Sequence, residues 1–335
     1  MVIEPPFCRP STVGYRLGEV ICGVIRLSVG HNGLAFAAVR EWVKLTSRQP
    51  RHSIDLFRTS VFCALERGIL SSLQTNSSTV LGRIVEARRA EVAHRQRVVP
   101  EAVLRMAAQK ADPVRDFAGA LCRDQTNVIA ELKKASPSAG LLREDFAPAS
   151  LARGLEEAGA AALSVLTEEG FFQGALAHLR DAHAATSIPV LRKDFIVEPW
   201  QVWEARAANA DSFLLIVAAI SRAALDELIA LGRELRMEPL VEVHTADELD
   251  IALAAGARIV GVNNRDLHTL TVRVETSFEL IAEIPDGCIA VSESGLRSAG
   301  DLARLRAAGF DAFLIGEHLM READPGAELR RLLNG

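Results

Sequence analysis

From about residue 77 onward, the chain alternates between two hydrophobic patterns. Thr79–Val98 carries apolar residues at Val80, Leu81, Ile84, Val85 and Val92 with charges between them, which is the stripe of an amphipathic helix. A second helix is predicted from Pro100, a residue suited to a first helical turn, to Lys110. Short β-branched or apolar runs then recur at Val128–Lys133, Ala162–Thr167, Pro189–Asp194, Phe213–Val217, Pro239–His244, Arg258–Asn264, Cys288–Ser294 and Ala312–Gly316. Segments with helical spacing lie between them, among them Leu151–Ala158, Gln201–Ala208, Arg222–Leu235 and Ala246–Ala255. The repeat of 19 to 34 residues is that of βα units. Eight such strands predict an α/β fold, a single (β/α)8 TIM barrel with extra N-terminal helices, over an open doubly wound sheet. No Gly-x-Gly-x-x-Gly follows the first strand, which further disfavours a dinucleotide fold.

Residues 1–75 break this rhythm. They hold nine Lys/Arg against five Asp/Glu and three of the five cysteines, and apolar pieces such as Val20–Ile25 sustain no period. They read as a poorly structured N-terminal extension, or as the product of an upstream start codon, ahead of a catalytic barrel domain over 76–335. Their arginine-rich, acid-poor character is also that of a transit peptide, the minor alternative, whereas Met1–Pro10 lacks the basic start of a secretory signal.

Charges stand where a core should be. Residues two apart in a strand share a face, so Glu131 pairs with Lys133, Leu191 with Lys193, Glu242 with His244, and Gly261 with Asn263 and, if the strand persists, Arg265. In the seventh strand Ile289, Val291 and Glu293 align. Every polar member sits at the C-terminal end of its strand, the end that bears the site loops of a barrel. Neither face of such a strand meets bulk water, and Lys and Glu are almost never buried unpaired. A structural ion pair accounts for one such position, but five charges at four strand ends point to a site. A lysine–glutamate cluster of this kind tunes its own proton affinities, holding a lysine as donor and a carboxylate as base.

Composition narrows the alternatives. With 49% hydrophobic and 24% charged residues over 335 positions, the chain has the balance of a globular protein with a sizeable core. The net charge of −5 supplies no broad basic field for nucleic acid. The cysteines are scattered and no Cys/His cluster appears, so disulfide and metal readings are both weak and a reducing, cytoplasmic compartment fits. No apolar run approaches the roughly 18 residues of a membrane helix. His244 is the one histidine singled out, as a packed or supporting neighbour of Glu242.

Two loop regions add anion chemistry. The segment from Lys134 to Pro148 is long for a βα connection and, with Lys133 and Ser136, reads as a mobile lid with anion-binding character. The last two strands end in Ser292-Glu-Ser-Gly295 and Ile315-Gly-Glu-His318, where barrels commonly seat a phosphate and glycine lets backbone N–H groups approach.

Together these motifs resemble the indole-3-glycerol-phosphate synthase family. The resemblance is carried by Val128-Ile-Ala-Glu-Leu-Lys-Lys-Ala-Ser-Pro-Ser138, Leu166-Thr-Glu-Glu-Gly-Phe-Phe-Gln-Gly174, Leu191-Arg-Lys-Asp-Phe-Ile196, Ile216-Val-Ala-Ala219, Val241-Glu-Val-His244, Gly261-Val-Asn-Asn-Arg-Asp-Leu267, Ser292-Glu-Ser-Gly295 and Leu314-Ile-Gly-Glu317. It runs in order from Thr79 to Gly335, with the first two helices as the family's extra N-terminal helices. It implies a carboxy-lyase of tryptophan biosynthesis. Such an enzyme closes 1-(2-carboxyphenylamino)-1-deoxyribulose 5-phosphate to indole-3-glycerol phosphate with loss of carbon dioxide and water, without cofactor or metal.

The resemblance also implies roles. Lys193 is the general acid for ring closure and Glu242 takes or stabilises the anilinium proton. Lys133 anchors the substrate's anions and donates in dehydration, Glu131, Asn263 and Ser294 assist, and Glu293 tunes the lysines. Ser136 and Arg265 bind substrate, with Arg265 near the anthranilate end, and Pro137, Phe172, Phe195 and Leu267 wall the aromatic ring. Lys133, Ser294, Gly295, Gly316 and Glu317 hold the phosphate. Ala139 stands where many relatives have lysine, so the first loop is less basic, and Trp200 replaces a common tyrosine. The implied partner is a small phosphorylated substrate, not nucleic acid or membrane. A monomer is expected, with association with other tryptophan-pathway enzymes as a further option. Phosphoribosylanthranilate isomerase and a non-catalytic phospholigand-binding barrel remain the rivals. Deleting residues 1–75 should leave turnover intact, and loss of folding in the truncated chain would contradict the division.

Overall fold

The strand runs close on themselves. In the computed structural model, which describes residues 79–267 and 269–334, eight parallel strands form a closed barrel. They are β1 (Asn127–Leu132), β2 (Ala162–Leu166), β3 (Val190–Lys193), β4 (Ser212–Ile216), β5 (Leu240–Val243), β6 (Ile259–Asn263), β7 (Ile289–Glu293) and β8 (Ala312–Ile315). Each pairs with its neighbours in sequence, and β8 returns to β1 with Asn127 opposite Ala312. The extension assigned to residues 1–75 lies outside the described residues.

Alternation along the strands divides the apolar residues into two cores. Ile129, Leu191, Leu214, Leu240, Ile259, Val291 and Leu314 fill the barrel interior. Their neighbours Val128, Ala130, Val190, Phe213, Leu215, Val241, Val260 and Phe313 face the surrounding helices, together with Leu155, Leu179, Leu228 and Leu305. Each Val, Leu, Ile or Phe side chain taken fully from water contributes about 1.5–3 kcal/mol, which is why the strands read as nearly unbroken apolar runs.

Helix α1 (Val80–Val98) starts at Thr79, whose Oγ1 accepts the N–H of Gly82 at 3.0 Å. Its Leu81, Ile84 and Val85 join the interior cluster of the barrel. Helix α2 (Glu101–Ala108) begins one residue after Pro100 and ends two residues short of Lys110. A third helix, α3 (Phe117–Leu121), escaped the sequence reading because five residues show no period. It lies against β1 and β2, with Phe117 and Leu121 in the interior core. Around the barrel follow α4 (Pro148–Glu157), α5 (Leu176–Ala185), α6 (Pro199–Ala207), α7 (Arg222–Glu234), α8 (Ala246–Ala254), α9 (Glu275–Leu280), α10 (Ala299–Ala308), α11 (Glu317–Arg321) and α12 (Pro325–Asn334). Trp200 and Trp203 of α6 pack against Val92, Leu104 and Ala108 of α1 and α2, and Trp200 Nε1 donates to Val99 O at 3.0 Å.

A buried charge network fastens α1 to β3. Arg192, on the helix-facing side of β3, donates through Nη2 to Asp194 Oδ2 at 3.0 Å and to Glu204 Oε2 of α6 at 2.7 Å. Arg88 of α1 donates to the same Asp194 oxygen at 2.6 Å, Thr167 Oγ1 also donates to it, and Arg95 reaches Glu204. Arg88, Arg192 and Asp194 are each no more than 2% exposed. Burial resists the Asp194 charge, but Arg192 and Arg88 overcome this and hold its carboxyl below the usual aspartate value. Replacing Asp194 by alanine removes the buried carboxylate that Arg88 and Arg192 share, leaving them only the carboxylates of Glu91 and Glu204, so equilibrium denaturation should record a loss of about 3 kcal/mol. An unchanged midpoint would show that the network is not structural.

Candidate active site

The C-terminal rim of the barrel brings the strand-end charges together. Lys193, the last residue of β3, donates through Nζ to Glu242 Oε2 of β5 and to Glu293 Oε2 of β7, both at 2.8 Å. Lys133, one residue past β1, pairs with Glu131 Oε2 at 2.6 Å. Asn263, at the end of β6, donates to Glu242 Oε1 at 3.1 Å and accepts from Ser294 Oγ at 2.8 Å. The β6 strand stops at Asn263, yet Arg265 still faces the cavity because its backbone N–H is bonded to Asn263 Oδ1 at 3.0 Å. The side chains of Glu131, Glu242 and Glu293 are no more than 4% exposed, so these ion pairs act where water screens them little.

Burial and mutual charge set the proton affinities. Burial opposes the Lys193 ammonium, but Glu242, Glu293 and Glu131 outweigh it and hold its pKa above that of an ordinary lysine. Burial likewise disfavours the Glu242 carboxylate, and Lys193, His244 and Asn263 reverse this to keep its pKa below the usual value. At Glu293 burial prevails. Lys193 attracts it, but Glu242 and Glu131 repel it, and its pKa is pushed up to about 7. Its Oε1 atom is buried with no hydrogen-bond partner. Two carboxylates around one ammonium are thus driven apart in affinity, one firmly ionised and one poised near neutrality.

Two glycines make room for these carboxylates. A Cβ at Gly261 of β6 would lie 2.2 Å from Glu293 Oε1, and one at Gly316 would lie 2.0 Å from Glu131 Oε2. Gly316 has φ −124, so missing bulk is what the position requires. The Ser294–Gly295 turn differs, because both residues are left-handed at φ 68 and 80, a conformation natural to glycine and uncommon for serine. Asn264 anchors this turn. Its Nδ2 donates to Ser294 O at 3.1 Å and to Ser292 Oγ at 3.2 Å, while its Oδ1 accepts from Ser277 N and Oγ.

Glu131, Lys133, Lys193, Glu242, Asn263, Arg265, Glu293 and Ser294 line one cavity of about 530 Å³. Its apolar wall includes Pro137, Phe172, Phe195 and Leu267, with the Phe172 and Phe195 rings 6.0 Å apart. Ser136, Gly295, Gly316 and Glu317 also line it. Every site residue singled out from the sequence therefore borders the same space. Arg265, expected at the anthranilate end, is ion-paired through Nη2 to Glu317 Oε2 at 3.3 Å, beside Gly316. The first loop opens with a short hairpin pairing Ala135–Ser136 with Gly140–Leu141, and Ser136, Pro137 and Ser138 face the cavity.

Sequence reasoning missed several contributors. Val80, Leu81 and Ile84 of α1 line the cavity, whereas an apolar stripe shows only that a face is covered and not by what. Glu168 accepts the N–H groups of Gly170, Phe171 and Phe172 at 2.7 to 3.1 Å and so shapes the turn that presents Phe172. The run of polar residues after β2 was its only trace. Asn264 was visible solely as the second asparagine of a pair. Among the described residues, no group of three or more His, Cys, Asp and Glu is disposed to hold a metal ion, and no helix is long and apolar enough to cross a membrane.

A closed (β/α)8 barrel whose mouth gathers lysines and glutamates around a half-apolar cavity is the architecture of an acid–base enzyme acting on a small molecule. Residues 81–332 match the family described as indole-3-glycerol phosphate synthase. The chain is 49% identical over 259 residues to the protein of that name from Aromatoleum aromaticum, covering 76% of this chain and 99% of that one. It is 48% identical over 260 residues to the one from Laribacter hongkongensis, with the same coverages. The chain belongs to the indole-3-glycerol phosphate synthase family. Among solved structures, KGPDC from Streptococcus mutans aligns with a TM-score of 0.50 at 13% identity over 63% of this chain and 97% of that one, a likeness of fold alone.

The Glu293 environment is measurable. Carboxyl NMR should find one glutamate titrating near pH 7, and that signal should vanish in Glu293→Gln. Because the folded state keeps this proton after the unfolded chain has lost it, wild-type stability should fall relative to the variant as pH rises from 4.5 toward 7. A Glu293 signal at the ordinary glutamate position would refute the assignment.

Proposed function

We propose that this barrel converts 1-(2-carboxyphenylamino)-1-deoxyribulose 5-phosphate to indole-3-glycerol phosphate, releasing carbon dioxide and water. The observation that carries the reading is the Lys193 ammonium, held by Glu242 and Glu293 on the floor of a cavity whose wall is aromatic. The substrate joins an aromatic ring, a carboxylate, a ketone and a phosphate, and the cavity offers a matching surface for each.

In this reading Lys193 gives its proton to the ketone oxygen as the ring carbon bearing the carboxylate attacks the carbonyl carbon. Charge develops on that oxygen in a site with little water, where a fixed ammonium is most effective. Loss of carbon dioxide then restores the aromatic ring. The new hydroxyl leaves as water with a proton from Lys133, and Glu131 supports that lysine. Glu242 accepts the proton released as the indole double bond forms. Asn263 and Ser294 orient the substrate and the Glu242 carboxylate, and Glu293 adjusts the affinity of Lys193 for its proton. The ring packs among Pro137, Phe172, Phe195 and Leu267, and Ser136 and Arg265 meet the substrate's polar groups. Lys133, Ser294, Gly295, Gly316 and the backbone at Glu317 receive the phosphate. No metal or organic cofactor enters these steps. On the same reading the protein works as a cytoplasmic monomer.

Formation of indole fluorescence from this substrate, undiminished by a chelator, is the direct test, and stoichiometric carbon dioxide separates the reaction from an isomerisation. Lys193→Ala should bind substrate within about tenfold of wild type yet lose most turnover, as when a proton donor acting in the transition state is removed. Near-normal turnover in that variant would rule out Lys193 as the acid.

A further inference from the structure

Glu242 has a second neighbour that the steps above do not use. His244 follows β5 and does not line the cavity. Its Nε2 is 3.5 Å from Glu242 Oε1, buried, and without a hydrogen-bond partner. On the other edge of the ring, Nδ1 is 3.1 Å from Glu248 Oε2, and the same oxygen accepts the His244 backbone N–H at 2.7 Å. Glu248 lies in the first turn of α8, where Thr245 caps the helix and accepts the Glu248 N–H at 3.2 Å. A carboxylate there is favoured by the helix dipole.

The order of charges is therefore alternating. From the surface inward stand the positive helix end, Glu248, His244, Glu242, Lys193 and Glu293. Three carboxylates act on the imidazole, Glu242 from β5, Glu248 from α8 and Glu293 from β7, with Lys193 beyond Glu242. Burial opposes a charge on the ring, but the Glu248 hydrogen bond and these carboxylates outweigh it and raise the imidazole pKa above its ordinary value. The two oxygens of Glu242 are thereby divided. Oε2 belongs to Lys193, while Oε1 takes the Asn263 amide and faces His244.

We propose that His244 is a positioning residue for Glu242: held by Glu248 on one edge, it sets an imidazolium charge 3.5 Å from Oε1 and keeps the carboxylate in its basic form while Oε2 engages Lys193. The inference rests on the reading of Glu242 as the base. Without the imidazolium, Glu242 binds a proton more readily and is spent as a base at a higher pH.

The test uses the full-length protein with the substrate named above. In His244→Gln the lower-pH ionisation of the kcat profile should move upward by on the order of half a unit, with KM changed less than about twofold. Glu248→Gln should shift it in the same direction by less. It should also lower the pKa of the His244 imidazole followed by NMR. A uniform drop in kcat at every pH, with the ionisation in place, would reduce His244 to packing and overturn the proposal. If His244→Gln fails to fold, Glu248→Gln and the wild-type titration decide, because an imidazole titrating at or below about 6.5 refutes it. Absence of turnover in the wild type would instead sink the functional reading, while the imidazole titration would still judge the charge chain.

Discussion

A lysine ammonium clasped by two buried carboxylates is the constraint around which the rest of this protein is arranged. Burying an ion costs several kcal/mol unless partners of opposite sign and good geometry compensate. Lys193 meets that demand with Glu242 and Glu293 at 2.8 Å, and Lys133 meets it with Glu131. Two cations against three acids leave one carboxylate in excess, and Glu293, with an unpartnered oxygen, is where the imbalance settles. The neighbouring features serve this cluster. Gly261 and Gly316 give the carboxylates room, Asn263 and Ser294 fix their orientation, and Asn264 holds the left-handed turn that brings Ser294 into place.

The strand-end charges were legible because alternation is a rigid rule. With one face of β3 packed on helices and the other lining the barrel, Lys193 could not be a surface charge, and the same argument placed Glu131, Glu242 and Glu293. It applied equally to Arg192 and Asp194, which flank Lys193 on the opposite face and form an ion network of their own. That network was invisible because its partners Arg88 and Glu204 come from α1 and α6, and periodicity does not reveal which helices meet. Glycine roles were hidden for a related reason. Gly316 reads in sequence as a place where backbone approaches a ligand, whereas its Cβ position belongs to the Glu131 carboxylate of the adjacent strand β1. Arg265 illustrates the limit of alternation, since its strand ends two residues earlier and a hydrogen bond from its own backbone N–H to Asn263 Oδ1 sets its direction.

The two faces of β3 thus carry two charge systems with different tasks. The inner one is uneven and proton-active. The outer one is a set of fixed ion pairs, with Asp194 accepting from Arg88, Arg192 and Thr167, and it supports the backbone that carries Lys193. Their separation by a single peptide step lets one strand be both firm and chemically responsive.

The attachment of α1 bears on how molecules enter and leave. This helix roofs part of the cavity with Val80, Leu81 and Ile84, yet Arg88, one to two turns further on, is bolted to Asp194 in the interior. Swinging the roof aside would tear that bolt, and would disturb the strand bearing the proton donor with it. The cavity rim also includes Ser136, Pro137 and Ser138 of the short hairpin, whose far strand stands in solvent. Roof and proton donor are thereby tied into one unit, so the helix lends its apolar side chains to the cavity without loosening the strand beneath.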